Sequence, residues 1–210
     1  MKIQEMYDVS RRLKNDMTLY PGDMEFELNV SNDYEDGYLN SNIAMSVHTG
    51  THVDAPAHVN KHGKQIEEVD LSNFVGGATL IKVENTEMIT LKDLEGVEIN
   101  KGDIILFKTI NSNLSLKDNF EEEFVYISDD VCNYLVNHGV KTVGIDYLSI
   151  DKYNENTAHD ILLNNGICLI EGLCFKHVKP GNDYYISALP LKIHNCEASP
   201  VRAVLFKIKS

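Results

Sequence analysis

Apolar residues in this chain come in short runs that end at glycine or polar clusters, and only a few recur at helical spacing. Residues 78–83, 103–107, 142–145, 167–170 and 203–206 are rich in branched and aromatic side chains and read as strands. Helical periodicity is found over 129–137 and 157–164, each stopping near a glycine, Gly139 or Gly166, of the kind that ends a helix. Residues 90–95 predict one further short helical turn. The polar, acidic stretch 111–123 predicts an exposed loop. Together these give an α/β fold dominated by a mixed sheet. No internal repeat or low-complexity linker divides residues 1–210, so a single domain is expected.

One segment stands apart from this pattern. From Val47 to Val59 the chain reads Val-His-Thr-Gly-Thr-His-Val-Asp-Ala-Pro-Ala-His-Val, which concentrates His48, His52, Asp54 and His58. Imidazole and carboxylate are donors for zinc or manganese, and four of them so close together point to a catalytic metal with a further base beside it. Histidines four apart suggest a metalloprotease helix, but two threonines, a glycine and a proline argue against helix here. In an extended segment His48, Gly50, His52 and Asp54 share one face. A straight strand would hold His48 and His52 roughly 13 Å apart at about 3.3 Å per residue, so a bend is required, and Gly50 is where it is expected. Pro56 sets its own φ and keeps Ala55 extended, which stiffens 54–58. The competing reading is a polar turn that happens to be rich in histidine.

Two further residues join the candidates. Glu171 ends the apolar run 167–170, where a carboxylate is costly unless a cation or hydrogen bonds satisfy it. A metal or a lysine partner would each do so. His159 sits beside Thr157, a candidate cap for the helix over 157–164, and by itself is an ordinary first-turn histidine.

Composition narrows the function classes. The chain has 210 residues, 43% of them hydrophobic, enough to bury a sizeable core. No apolar run approaches the roughly 18 residues of a membrane span, and the start lacks the apolar stretch of a secretory signal. Cys132, Cys168, Cys174 and Cys196 show no metal-binding or redox spacing, which suits reduced thiols in a cytoplasm. A net charge of −13 without basic patches disfavours nucleic acid and anionic membranes as partners.

The string from His48 to His58 resembles the signature of the cyclase-like metal-dependent hydrolases, which include bacterial kynurenine formamidase and isatin hydrolase. Other segments resemble the family in the same order: Tyr7-Asp8-Val9-Ser10 with Tyr20-Pro21-Gly22-Asp23, then Gly144-Ile145-Asp146-Tyr147-Leu148-Ser149-Ile150-Asp151 with His159 and Glu171, and finally Ser199-Pro200-Val201-Arg202. The resemblance implies a swivelling β/β/α fold, assembled as a homodimer or larger homo-oligomer. It implies that His48, His52 and Asp54 are metal ligands, that His159 and Glu171 complete a site for one or two ions, and that His58 is the general base and acid. Zn2+ is the implied cofactor, with Mn2+ the alternative. The implied reaction is hydrolysis of a small-molecule amide, N-formyl-kynurenine or a similar aryl formamide. Hydrolysis of a cyclic amide, or cyclase or dehydratase chemistry at the same site, is the alternative. A non-catalytic metal-binding protein is the remaining one, disfavoured because a closed structural site has no use for a base such as His58.

The chain departs from the family pattern at Ile193-His194-Asn195-Cys196-Glu197, where a glycine-containing turn is expected. It also lacks tryptophan, so an aromatic wall around a substrate falls to tyrosine or phenylalanine. Tyr20, next to Pro21, is the candidate for substrate binding. Its alternative role is to anchor the amino-terminal arm.

Overall fold

The computed structural model describes residues 2–114 and 120–209. Along these residues run strands β1 (Lys2–Asp8), β2 (Glu27–Asn32), β3 (Asn40–Ala44), β4 (His52–Asp54), β5 (Val75–Lys82), β6 (Met88–Ile89), β7 (Ile104–Lys108) and β8 (Tyr126–Ile127). Helix α1 (Asp129–His138), β9 (Thr142–Ile145), α2 (Thr157–Asn164), β10 (Cys168–Glu171), β11 (Gly181–Ser187), β12 (Ala198–Pro200) and β13 (Val204–Lys209) follow. The principal sheet has the order β1-β13-β11-β5-β7-β9-β10-β4-β12. Its centre, β5-β7-β9-β10, is parallel, and both flanks are antiparallel.

The central strands are apolar on both faces because both faces are covered. Ile105, Phe107, Val143, Ile145 and Leu169 pack against Val131 and Leu135 of α1 and Leu162 of α2. Their neighbours in sequence, Leu80, Leu106 and Ile170, point the other way and meet Phe74, Phe175, Tyr184 and Leu205. Tyr184 and Leu205 belong to β11 and β13 of the same sheet, so the sheet curls upon itself around this second core. Gly144 permits the curl: a Cβ there would lie 2.5 Å from Leu106 Cδ2.

The runs 142–145 and 157–164 form β9 and α2, and the other predicted strands and helix are displaced or extended by at most three residues. Residues 90–95 hold a 3-10 turn, Leu91–Leu94, with a capping box between Thr90 and Asp93. Two expectations are corrected. Thr157 does not cap α2; the backbone N–H groups of Ala158 and His159 donate instead to the Asp151 carboxylate, at 2.6 and 3.1 Å. Nor is 111–123 an exposed loop throughout. Asn111 and Ser112 are buried in a 3-10 turn, where the Asp146 carboxylate accepts from Thr109 and Ser112 and Asn111 pairs with the backbone of Val125. Residues 115–119 of that stretch lie outside those described. Among the described residues no helix is long and apolar enough to cross a membrane.

The strand ends are locked by one close approach. Gly172 has φ of +67°, and a Cβ on it would lie 2.0 Å from the Gly50 carbonyl oxygen. Thr51 Oγ1 donates to Gly172 O at 2.7 Å across the same contact. Gly172→Ala therefore combines a left-handed backbone penalty with a backbone clash and is expected to cost about 2 kcal/mol or more. Chemical denaturation measures it; an unchanged midpoint would show that the two loops do not pack in this way.

Candidate metal centre and active site

The register of β4 and β10 assembles the first part of the site. Glu171 lies opposite His52 and Leu169 opposite Asp54, so all four side chains leave the sheet on one face. Leu169 belongs to the core beneath α2, which places His52, Asp54 and Glu171 under the first turn of that helix, where His159 sits. Gly50 supplies the bend: with φ of +70° it turns the chain so that the rings of His48 and His52 have centroids 5.0 Å apart. Beyond β4, Ala55 is extended and Pro56–His58 form a 3-10 turn with proline at its start. This turn brings the His58 ring to 4.5 Å from His48 and 5.4 Å from His159, centroid to centroid.

Imidazole nitrogens and carboxylate oxygens now face one another. His48 Nδ1 is 3.1 Å and His52 Nε2 3.6 Å from Asp54 Oδ1, and His159 Nε2 is 3.7 Å from Asp54 Oδ2. Glu171 lies 3.4 Å from His52 Nε2 and 3.5 Å from His159 Nε2. The donors form two groups, His48-His52-Asp54 and Asp54-His159-Glu171, each with one ligand atom per residue within 4.8 Å of the others. Asp54 belongs to both.

The outward nitrogens are held. His52 Nδ1 donates to the Gly50 carbonyl at 3.2 Å, and His159 Nδ1 donates to Asp151 Oδ2 at 2.5 Å. In the neutral ring these bonds leave each Nε2 with its lone pair aimed inward. His48 turns its Nε2 outward, 3.5 Å from Glu197 Oε1. Inside, His52 Nε2 and both oxygens of the fully buried Asp54 make no hydrogen bond. Buried polar atoms are almost always paired, and acceptors facing acceptors without a proton repel. A cation among them resolves this, and the donor set of three imidazoles and two carboxylates suits one. Among the described residues no lysine partner for Glu171 is found; His52, His159 and the backbone N–H of Ile150, at 2.7 Å, face it instead.

The electrostatics agree. Burial alone would lower the histidine pKa values, yet the Asp54 and Glu171 carboxylates raise His52, lift His159 well above its usual value and bring His48 to about 9. Burial opposes ionisation of Asp54, but its histidine neighbours hold it well below the carboxylate range. His58 behaves differently. Protein crowding around its ring lowers its pKa, and His48 and His159 push it the same way. It is the neutral imidazole of the group and belongs to neither set of convergent donors.

All seven candidates from the sequence meet in one place. Tyr20, His48, His52, His58, His159 and Glu171 line a single cavity of about 250 Å3, and the buried Asp54 lies within 4.8 Å of the donor atoms of His48, His52, His159 and Glu171. Tyr20 stands edge-on to Phe120, 5.3 Å between centroids. Sequence reasoning gave no role to Asp151, Glu197 or Asp23, although Asp151 and Asp23 fall in segments that resemble the family. Asp151 is eight residues before His159 and carries no local spacing signal. Glu197 lies in the stretch that departs from the family pattern, where Asn195 takes φ of +52° in place of the expected glycine. His194 and the Asn195 backbone N–H fasten that turn to Glu67.

Comparison with known proteins gives consistent results. The Cyclase family profile matches residues 7–152. A kynurenine formamidase of Bacillus cereus is 35% identical over 209 residues, covering 98% of this chain and 99% of its own length. A solved structure described as a potential metal-dependent hydrolase with cyclase activity superposes with a TM-score of 0.85 at 35% identity, covering 98% of this chain and 99% of that one. Isatin hydrolase A from Labrenzia aggregata superposes with a TM-score of 0.87 at 21% identity, covering 98% and 94%, and shares the fold.

Proposed function

This chain belongs to the Cyclase family, and from that membership we propose that it is a metal-dependent amide hydrolase that converts N-formyl-kynurenine, or a closely similar aryl formamide, to the free arylamine and formate. The observation that carries the reading is the buried, unpaired donor set around Asp54 with a neutral imidazole, His58, beside it. His48, His52 and Asp54 would hold one ion, and Asp54, His159 and Glu171 a second. We assign zinc, with manganese as the alternative, since the donors suit both. The chemistry such ions supply is Lewis acidity towards an amide carbonyl and towards water.

The protein's own groups do the rest. His58 accepts the proton of the attacking water at a ring nitrogen and returns it to the departing nitrogen, converting a poor leaving group into an amine. Tyr20, with Phe120 behind it, offers an aromatic wall to the aryl ring. Asp151 fixes His159 by one short bond and caps α2 with the same carboxylate. Such support typically changes metal affinity ten- to a hundredfold, so Asp151→Asn is expected to weaken metal binding by that factor in a competition titration. Unaltered affinity would show that His159 needs no support.

The decisive experiment is formate release from N-formyl-kynurenine by protein stripped of metal and reloaded with zinc or with manganese. Metal-dependent release at an enzymatic rate supports the assignment. No release from folded, loaded protein would overturn it and direct attention to cyclic amides. We place the enzyme in the cytoplasm, where its four unpaired cysteines would stay reduced.

We assign a second copy of this chain as its partner. The β2–β3 hairpin exposes Leu28, Val30 and Ile43 on one face, and a two-stranded hairpin is marginal alone in water. Its acidic residues Glu25, Glu27 and Glu35 complement a groove carrying Arg11, Arg12 and Arg202, the last of which also pairs with Asp8 within the groove. Sedimentation is expected to give a dimer or larger at micromolar concentration, reduced to monomer by Leu28→Asp with Ile43→Asp. A wild-type monomer would refute the assignment.

A further inference from the structure

The cavity holds one carboxylate that the reaction does not use. Asp54 and Glu171 face the imidazoles, and Asp151 is consumed by His159 and the start of α2. Asp23 also lines the cavity, and among the described residues its only hydrogen-bonding side-chain partner is Ser46, whose Oγ donates to Oδ1 at 3.0 Å. Among the described residues no lysine or arginine lines this cavity. Asp54 and Glu171 belong to the donor groups, whereas Asp23 lies outside both, at the cavity wall.

Asp23 is also rigidly placed. The turn over Tyr20–Asp23 closes with the Asp23 N–H donating to the Tyr20 carbonyl at 3.1 Å, Gly22 taking φ of +99°. Ser46 Oγ accepts from the His48 backbone N–H at 3.2 Å, which ties Asp23 to the segment that carries His48. A second cleft adjoins, and Asp23 lines both. Asp16, Glu25, Phe26 and Phe120 line this second cleft, again with no lysine or arginine among the described residues. Tyr20 and Phe120 stand edge to face between the two spaces.

We propose that Asp23 sets specificity by binding an ammonium group on the substrate, so that the preferred substrates are aryl formamides whose ring carries an aminoalkyl chain. This rests on the amide-hydrolase reading of the same site. The ammonium meets a carboxylate on one side and aromatic rings on the other, both of which favour a cation. Among the described residues no cationic side chain lines either space to receive a substrate carboxylate. The enzyme therefore reads the amine of an amino-acid substrate and is indifferent to its acid.

Formate release is measured on four substrates: N-formyl-kynurenine, its decarboxylated analogue, its deaminated analogue and formanilide. The decarboxylated compound is expected to match the parent in kcat/KM within a few-fold, and the deaminated one to fall about tenfold or more, through KM. Asp23→Asn keeps an acceptor for Ser46 and removes the charge. It is expected to shrink the ratio of kcat/KM between the parent and the deaminated substrate about tenfold, and to weaken calorimetric binding of the product kynurenine by a similar factor. A ratio unchanged from wild type, or equal wild-type rates on the aminated and deaminated substrates, overturns the assignment of Asp23 while leaving the hydrolase intact. Failure of wild-type protein on all four overturns the hydrolase reading itself, and this inference with it.

Discussion

Replacing His58 by alanine is expected to lower kcat by about a hundredfold or more while leaving the metal content of the protein unchanged. Both halves follow from where the ring sits. His58 is on the 3-10 turn after β4, outside the two convergent donor groups, yet against the rings of His48 and His159. A ring in that position loses no ligand when truncated. Its pKa is lowered by crowding and by its histidine neighbours, so at neutral pH it carries a free lone pair, the state a general base requires. It is also accessible from the cavity, so its removal leaves no buried void and little change in stability is expected. Metal analysis and steady-state kinetics on the same preparation decide the matter. Undiminished turnover would remove His58 from the reaction, and loss of metal would make it a ligand.

The reason so much of this site can be seen in the sequence is that its geometry is mostly local. His52 and Asp54 share a face because strand side chains alternate, and the bend that recovers His48 falls on the one glycine between them. Glu171 declares itself as a charge at the end of an apolar strand. The strands are legible for a related reason: a segment buried on both faces must be apolar throughout, so 142–145 has no other reading. What escapes is whatever depends on partners distant in sequence. Asn111 and Ser112 look like exposed loop residues because their burial is made tolerable only by Asp146 and Val125. The cap of α2 is invisible because Asp151 reaches it from outside the helix, while the nearer Thr157 has the right chemistry and no such role. Asp23 falls in the family-like segment Tyr20-Pro21-Gly22-Asp23, but only the folded chain brings it to the wall of the same cavity as His48.

Asp54→Asn is expected to have a still larger effect, because Asp54 alone is common to both donor groups. Substituting His48 or Glu171 removes a ligand from one group and leaves the other intact, whereas Asp54→Asn weakens both at once. Elemental analysis should find the ions of both groups lost, with turnover reduced about a thousandfold or more. The stability consequence is separate and runs through the same residue. Asp54 is fully buried, and without an ion its charge is balanced only by the histidines around it, at the cost of burying them protonated. A bound cation takes the place of those protons, and the stabilisation it gives is the binding free energy itself, about 2.7 kcal/mol at metal a hundredfold above Kd. For a chain of this length that corresponds to a rise in Tm of roughly 5–10 °C. Wild-type protein should show this rise on adding metal after chelation, and Asp54→Asn should not. His48, held protonated to about 9 by the same carboxylate, must release its proton for a metal to bind, so the rise should be larger at pH 8 than at pH 6. An Asp54→Asn variant that still melts higher with metal would show that the two groups do not depend on a shared carboxylate.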